Sequence, residues 1–399
     1  MRPIQHPLLN PLACLLACAW IILVSTTLTS GTDDFKQYWQ AAVNVQATGN
    51  PYTPPPNSTT VYAGYYYPPL FAYLFQPFAA LELQTGQQCW YWLNSLALVG
   101  FLALALWVAG ARSAQRYWGI VILATAIAPP TRLSLQLGQI SIFFALFLVA
   151  TWGLRQRPAL AGGILAYTAS IRIIPALLGL AFLLQRRRAI VWWAVIIGGV
   201  LIGGTLAAYG WQPYWSLFTN QAHSPPYPYA AEHNISWFGF FSRLFTNNPY
   251  SIPIQHLPQL VPILTVFFSL PLLSSAVWLS WITAQPQDNA LLYSLWLCLT
   301  LILAPTNGYY SLVLLLFPLL VIMRQLEQAP NPRLRTWLII ATALVCLPPG
   351  WTAVHPLLYQ NLHQGWGLLL LTPSMYGLIL YSGLLSWILY TTTLQASVQ

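Results

Sequence analysis

Apolar runs follow one another along nearly the whole chain, at about residues 8–30, 90–109, 117–128, 139–154, 158–171, 173–184, 189–210, 258–283, 290–304, 309–323, 337–350 and 367–391. No polar gap between them is long enough for a separate soluble domain. Charged residues make up 5% of the 399, where an ordinary soluble domain carries about 25%. Such a chain cannot clothe a water-facing surface. The pattern predicts an all-α integral membrane protein, one polytopic domain over residues 1–399 with about twelve transmembrane crossings. Several runs fall short of the roughly 20 residues a bilayer asks for, so those helices are expected to tilt, kink or turn back. Between the first two runs, Pro54, Pro55, Pro56, Pro68 and Pro69 predict a long ordered loop or interfacial segment. The short run from Leu70 to Leu81, closed by Glu82, reads as an interfacial or re-entrant helix.

The net charge is +9. In a soluble protein that would suggest nucleic acid; here the placement of the charge sets topology instead, and no nucleic-acid partner is expected. Arg112 and Arg116, Arg155 and Arg157, Arg186 to Arg188, and Arg324, Arg333 and Arg335 fall in alternate gaps, on the side of Arg2. That side is read as the cytoplasm, with the N-terminal run a retained signal anchor in the cell membrane. The remaining basic residues, Lys36, Arg132, Arg172 and Arg243, gather on the opposite face or in the membrane near it. Asp33, Asp34, Glu82, Glu232, His223, His233, His256, His355 and His363 share that outer face. The five cysteines form no Cys-x-x-Cys pair, so neither a disulfide framework nor a metal site is expected.

Asp33 and Asp34 stand where the first helix emerges, and a carboxylate there can take a proton from a hydroxyl brought to the membrane surface. The plain alternative is a solvated loop end. Arg132, in Pro129-Pro130-Thr131-Arg132, and Arg172, in an apolar setting, suit a lipid phosphate, because guanidinium binds phosphate oxygens through a two-pronged fork. Snorkelling to the interface would explain them equally well. The Trp211–His256 segment interleaves His223, Glu232, His233, Asn234, Ser236 and Arg243 with aromatic residues that suit sugar rings. Asn57-Ser58-Thr59 and Asn234-Ile235-Ser236 match the N-glycosylation sequon. Walker, HExxH, GxSxG and dinucleotide-binding motifs are lacking, so cytoplasmic nucleotide chemistry is unsupported.

In order, the chain carries Asp34-Phe35-Lys36-Gln37-Tyr38-Trp39, Gly49-Asn50-Pro51-Tyr52, Tyr67-Pro68-Pro69-Leu70, Leu137-Gly138-Gln139, Arg172 three residues before Pro175, Glu232-His233-Asn234-Ile235-Ser236 with Arg243, and Ala304-Pro305 before a tyrosine pair. This order resembles glycosyltransferase family 87, membrane enzymes of the GT-C superfamily that use a polyprenyl-phosphate sugar, typically mannose. The resemblance implies a GT-C-type bundle with long outer-face loops and an outward-facing active site. It implies Asp34 as the base that deprotonates the acceptor, with Asp33 beside it, and Arg172 on the donor phosphate. Gln139, Glu232, Asn234, Ser236 and Arg243 would line the sugar and acceptor cavity, and Tyr38, Tyr67, Arg132, His233, Tyr309 and Tyr310 belong to the same substrate-binding set. The chain departs from the family pattern at Asn307-Gly308-Tyr309-Tyr310, where histidine and tryptophan are common.

The expected partners are a polyprenyl-phosphate sugar donor, a lipid or glycan acceptor and membrane lipids, with no cofactor. The rival reading is a transporter or flippase, which would place functional charges near the midplane with access from both sides.

Overall fold

The computed structural model describes residues 8–26, 34–54, 65–223, 227–283 and 289–398. Asp33 and the Asn57 sequon lie outside these residues, as does the side chain of His223. Among the described residues the chain is helical, with isolated bridges in place of strands.

Among the described residues six helices are long and apolar enough to cross a membrane: Leu9–Thr26, Leu83–Ala109, Arg188–Tyr209, Leu260–Ile282, Tyr309–Gln328 and Pro373–Gln395. A seventh span results if Trp118–Ile127 and Pro129–Leu137 are one broken crossing. Ser141–Gly153, Pro158–Ile171, Ile174–Leu184 and Ala290–Ile302 are apolar but shorter. Among the described residues the apolar runs read from the sequence carry helix, with six or seven full-length spans where about twelve crossings are expected, and the protein is a multi-pass membrane protein. The short run after Pro68 forms two brief helices, Pro69–Leu74 and Gln76–Ala79.

One segment differs from expectation. Residues 34–48, read as the start of a loop, form the helix Asp34–Thr48. Phe35, Tyr38, Ala41, Ala42 and Val45 recur at helical spacing and are buried along one face. Gly49, at φ +74°, closes the helix by donating to the Val45 carbonyl at 2.9 Å, and Pro51 prevents its continuation.

The chain divides into two compact units. One comprises Met1–Leu104, Arg132–Gly179 and Arg187–Ser224; the other comprises Ala105–Thr131, Leu180–Arg186 and Pro225–Gln399. Within each unit, arginine-bearing gaps assigned to one side of the membrane meet. In the first, Arg187 Nη1 donates to Gln156 Oε1 at 3.1 Å. In the second, Glu327 accepts the Arg112 and Ser113 backbone N–H groups at 2.9 and 2.7 Å, together with the Ser113 hydroxyl.

Candidate active site

The expected site residues fall into two groups, one in each unit. In the first unit, the Asp34–Thr48 helix lays its aromatic face on Phe71, Phe75, Trp90, Ile140, Phe144 and Ile171. The Tyr38 ring meets Phe71, Tyr67 and Phe75 edge-on, with centroids 4.9, 5.3 and 5.7 Å apart. Each large ring withdrawn from water stabilises the packing by roughly 1.5–3 kcal/mol. The helix start is therefore held in place, and Asp34 stands at its first turn.

Gln139 reaches Asp34 from the opposite direction, delivered by a turn. The Pro129–Leu137 helix ends in a paired cap: Gly138 N–H donates to Leu135 O at 3.2 Å and Gln139 N–H to Ser134 O at 2.9 Å. Gly138 sits at φ +68°, where a Cβ would come within 2.9 Å of Phe35 Cβ, and its carbonyl accepts Trp90 Nε1–H at 2.6 Å. Only glycine fits a left-handed turn pressed this closely on a neighbour. Gln139 follows, 2% exposed.

Five side chains converge there. Gln139 Nε2 donates to Asp34 Oδ2, and Gln37 Nε2 donates to Asp34 Oδ1 at 3.1 Å. Gln139 Oε1 accepts the hydroxyls of Tyr38 at 3.0 Å and Tyr67 at 3.3 Å. The Tyr67 hydroxyl lies within the fields of both Asp34 and Arg172. Burial raises its pKa above the ordinary tyrosine value; the Arg172 guanidinium opposes that rise and the Asp34 carboxylate adds to it. Tyr67 thus remains a neutral donor across the physiological range.

Arg172 leaves the end of the Pro158–Ile171 helix in extended backbone, φ −141° and ψ 116°, with Pro175 close behind. Its Cζ lies 5.8 Å from the centre of the Phe144 ring. Arg132 is exposed, and its guanidinium covers Trp20 at 5.7 Å. The first unit therefore gathers Asp34, Tyr38, Tyr67 and Gln139 in one network with Arg172 beside it, while the contact shown for Arg132 is to the first helix.

In the second unit the polar side chains are spent largely on the chain itself. Asn234 Oδ1 accepts from Ser236 N and Asn307 N at 3.2 and 3.1 Å, and its Nδ2 donates to Tyr229 O and Pro305 O at 2.9 and 3.3 Å. Ser236 caps the Trp237–Phe245 helix through Gly239 N–H at 3.0 Å and donates to Pro305 O at 3.0 Å. Arg243 is fully buried, with Nη1 on Ala231 O and Asn234 O at 2.9 and 3.0 Å and Nη2 on Thr372 Oγ1 at 3.1 Å. Burial pushes its guanidinium down to about 10, so it is still cationic at neutral pH. These three residues join two loops, a use that their spacing in sequence gives no sign of.

Glu232 accepts Gly350 N–H at 2.8 Å and meets His363 Nε2, whose Nδ1 lies 2.8 Å from Tyr359 O. His363 was not among the expected site residues; its placement on the same face as Glu232 was the one sequence signal for this pair. The His233 side chain is exposed, and its carbonyl accepts Tyr309 N–H at 2.7 Å. Tyr309 is buried, with its hydroxyl on Val345 O at 2.9 Å, and Tyr310 is half-buried over Gly308. Among the described residues no cluster of three histidine, cysteine or acidic side chains could hold a metal.

A 172-residue stretch, 39% of this chain, is 28% identical to a polyprenol-phosphate-mannose-dependent alpha-(1-2)-phosphatidylinositol mannoside mannosyltransferase of Mycobacterium tuberculosis, and the match spans 40% of that relative's length. Among solved structures, ArnT from Cupriavidus metallidurans in the apo state aligns with a TM-score of 0.46 at 12% identity, over 96% of this chain and 77% of that one. The same protein bound to undecaprenyl phosphate aligns with a TM-score of 0.40 at 12% identity, over 96% and 78%. Residues 65–305 match the model of glycosyltransferase family 87, a span that holds Tyr67, Arg132, Gln139, Arg172 and the Glu232–Arg243 group, with Asp34 and Tyr38 before it and Tyr309 and Tyr310 after it. That span is more than half of the chain, and the chain belongs to glycosyltransferase family 87.

Proposed function

We propose that this protein is an inverting transferase that moves a sugar, mannose by preference, from a polyprenyl-phosphate donor to a hydroxyl of a lipid or glycan at the outer face of the cell membrane. The observation that carries the reading is the Asp34 carboxylate, held by Gln37 and Gln139 in the unit that also carries Arg172. A carboxylate and a guanidinium are the two charges that such a displacement needs. The family, and the name of the mannosyltransferase relative, support the donor class.

Asp34 takes the proton of the acceptor hydroxyl. The acceptor oxygen forms its bond to the anomeric carbon from the face opposite the phosphate, and the bond from that carbon to the phosphate oxygen breaks. The electron pair leaves with the polyprenyl phosphate, where Arg172 meets the growing negative charge. The Gln37 and Gln139 amides that donate to Asp34 hold it in its ionised, proton-accepting form.

The test supplies radiolabelled polyprenyl-phosphate mannose to membranes containing the wild type or Asp34→Asn. Transfer is expected to fall to background with the variant folded; transfer at the wild-type rate would remove Asp34 as the base. Replacing mannose in the donor by glucose or arabinose tests the choice of sugar, and equal use of all three would overturn the preference.

A further inference from the structure

We propose that Gln139 is a positioning residue for Asp34, its amide held by the hydroxyls of Tyr38 and Tyr67 so that its NH2 group faces the carboxylate. The inference rests on the reading of Asp34 as the base and changes the role of Gln139 from lining a sugar cavity to aiming that base.

Both ends of the amide set its orientation. A primary amide oxygen has two lone pairs, and two tyrosine hydroxyls lie within reach of this one at 3.0 and 3.3 Å, themselves linked at 3.1 Å. Flipping the amide would turn its oxygen onto the Asp34 carboxylate, setting acceptor against acceptor. The charge of Asp34 therefore selects the orientation in which nitrogen faces it. The supports are equally fixed. Tyr38 is 0% exposed and packed by Phe71 and Phe75, and the Gly138 turn holds the Gln139 backbone against Phe35 and Trp90.

The chemical consequence falls on one oxygen. With Gln37 on Oδ1 and Gln139 on Oδ2, the carboxylate is held from both sides, which fixes its orientation toward an incoming hydroxyl. An amide donor also stabilises the ionised form, which keeps Asp34 ready to accept a proton.

The experiment measures transfer kinetics, pH profile and thermal unfolding for Gln139→Met and for the double variant Tyr38→Phe/Tyr67→Phe, with Asp34→Asn alone run beside them. Gln139→Met is expected to lower kcat by about 10- to 100-fold, with KM for donor and acceptor within about twofold of wild type. Its acidic limb should move to higher pH. The double variant keeps the rings and is expected to move the limb the same way, which tests the idea should Gln139→Met fail to fold. A rise in KM at unchanged kcat, or an unmoved pH profile in the double variant, would each overturn the positioning role. Asp34→Asn at the wild-type rate would instead overturn the base, whatever Gln139 does.

Discussion

Arg243 holds Asn234 by its backbone, with Nη1 3.0 Å from the Asn234 carbonyl while the same nitrogen donates to Ala231 at 2.9 Å. Replacing Arg243 by methionine leaves two carbonyls without their donor in a fully buried place. Orphaned buried acceptors cost about 1–3 kcal/mol each. Arg243→Met is expected to lower stability by at least about 2 kcal/mol, seen as a lower thermal midpoint in detergent. Arg243→Lys should recover part of this loss, because an ammonium group lacks the planar fork.

Gly138→Ala should be disruptive out of proportion to one methyl group. The left-handed backbone alone costs an alanine about 1–2 kcal/mol, and the new Cβ meets Phe35 Cβ at 2.9 Å. Since Gln139 is the next residue, transfer activity is expected to fall by more than the change in thermal midpoint accounts for. Equal activity per folded molecule would contradict this.

Arg172 is expected to act on the donor phosphate. Arg172→Ala should weaken use of polyprenyl-phosphate sugar by about 10- to 100-fold in kcat/KM, with acceptor KM little changed. Titrating donor and acceptor separately checks this. Arg172→Lys, still cationic but without a two-pronged fork, should fall between the two.

The meeting of Gln156 with Arg187, and of Ser113 with Glu327, fits the assignment of those gaps to one side. Alkaline phosphatase fused after Gly49 should be active, and after Arg187 inactive. The opposite pattern would turn the Asp34 network to the cytoplasm.

How much of this was legible in the sequence varies by residue. The run at 158–171 became Pro158–Ile171 without adjustment, because a predominantly apolar run between Arg157 and Arg172, broken only by Thr168 and Ser170, leaves the chain little choice. The Asp34–Thr48 helix is not expected from the sequence, because the dense prolines from Pro54 to Pro69 draw the whole stretch after the first run into one loop. Its signals were nonetheless present: Asp34 in the first turn, apolar residues at helical spacing, and Gly49 followed by Pro51. The partners of Gln139 lie 72, 101 and 105 residues away from it, and Glu232 and His363 are 131 apart. Such meetings depend on how helices pack and leave no local periodicity to read. Arg243 shows the same limit from the other side, since a cation among aromatic residues looks like a ligand site until its carbonyl partners are seen.

The closed turn at Asn234 bears on expression in a foreign host. Asn234-Ile235-Ser236 reads as an N-glycosylation acceptor, yet the Asn234 amide nitrogen is 2% exposed with its residue and already given to Tyr229 O and Pro305 O. A sugar-tree attached there, in yeast or insect cells, would exclude both partners and keep the two loops apart. Glycan occupancy at Asn234, read by mass spectrometry of the purified peptide, would therefore count the molecules in which this turn never closed, making the sequon a built-in gauge of folding yield.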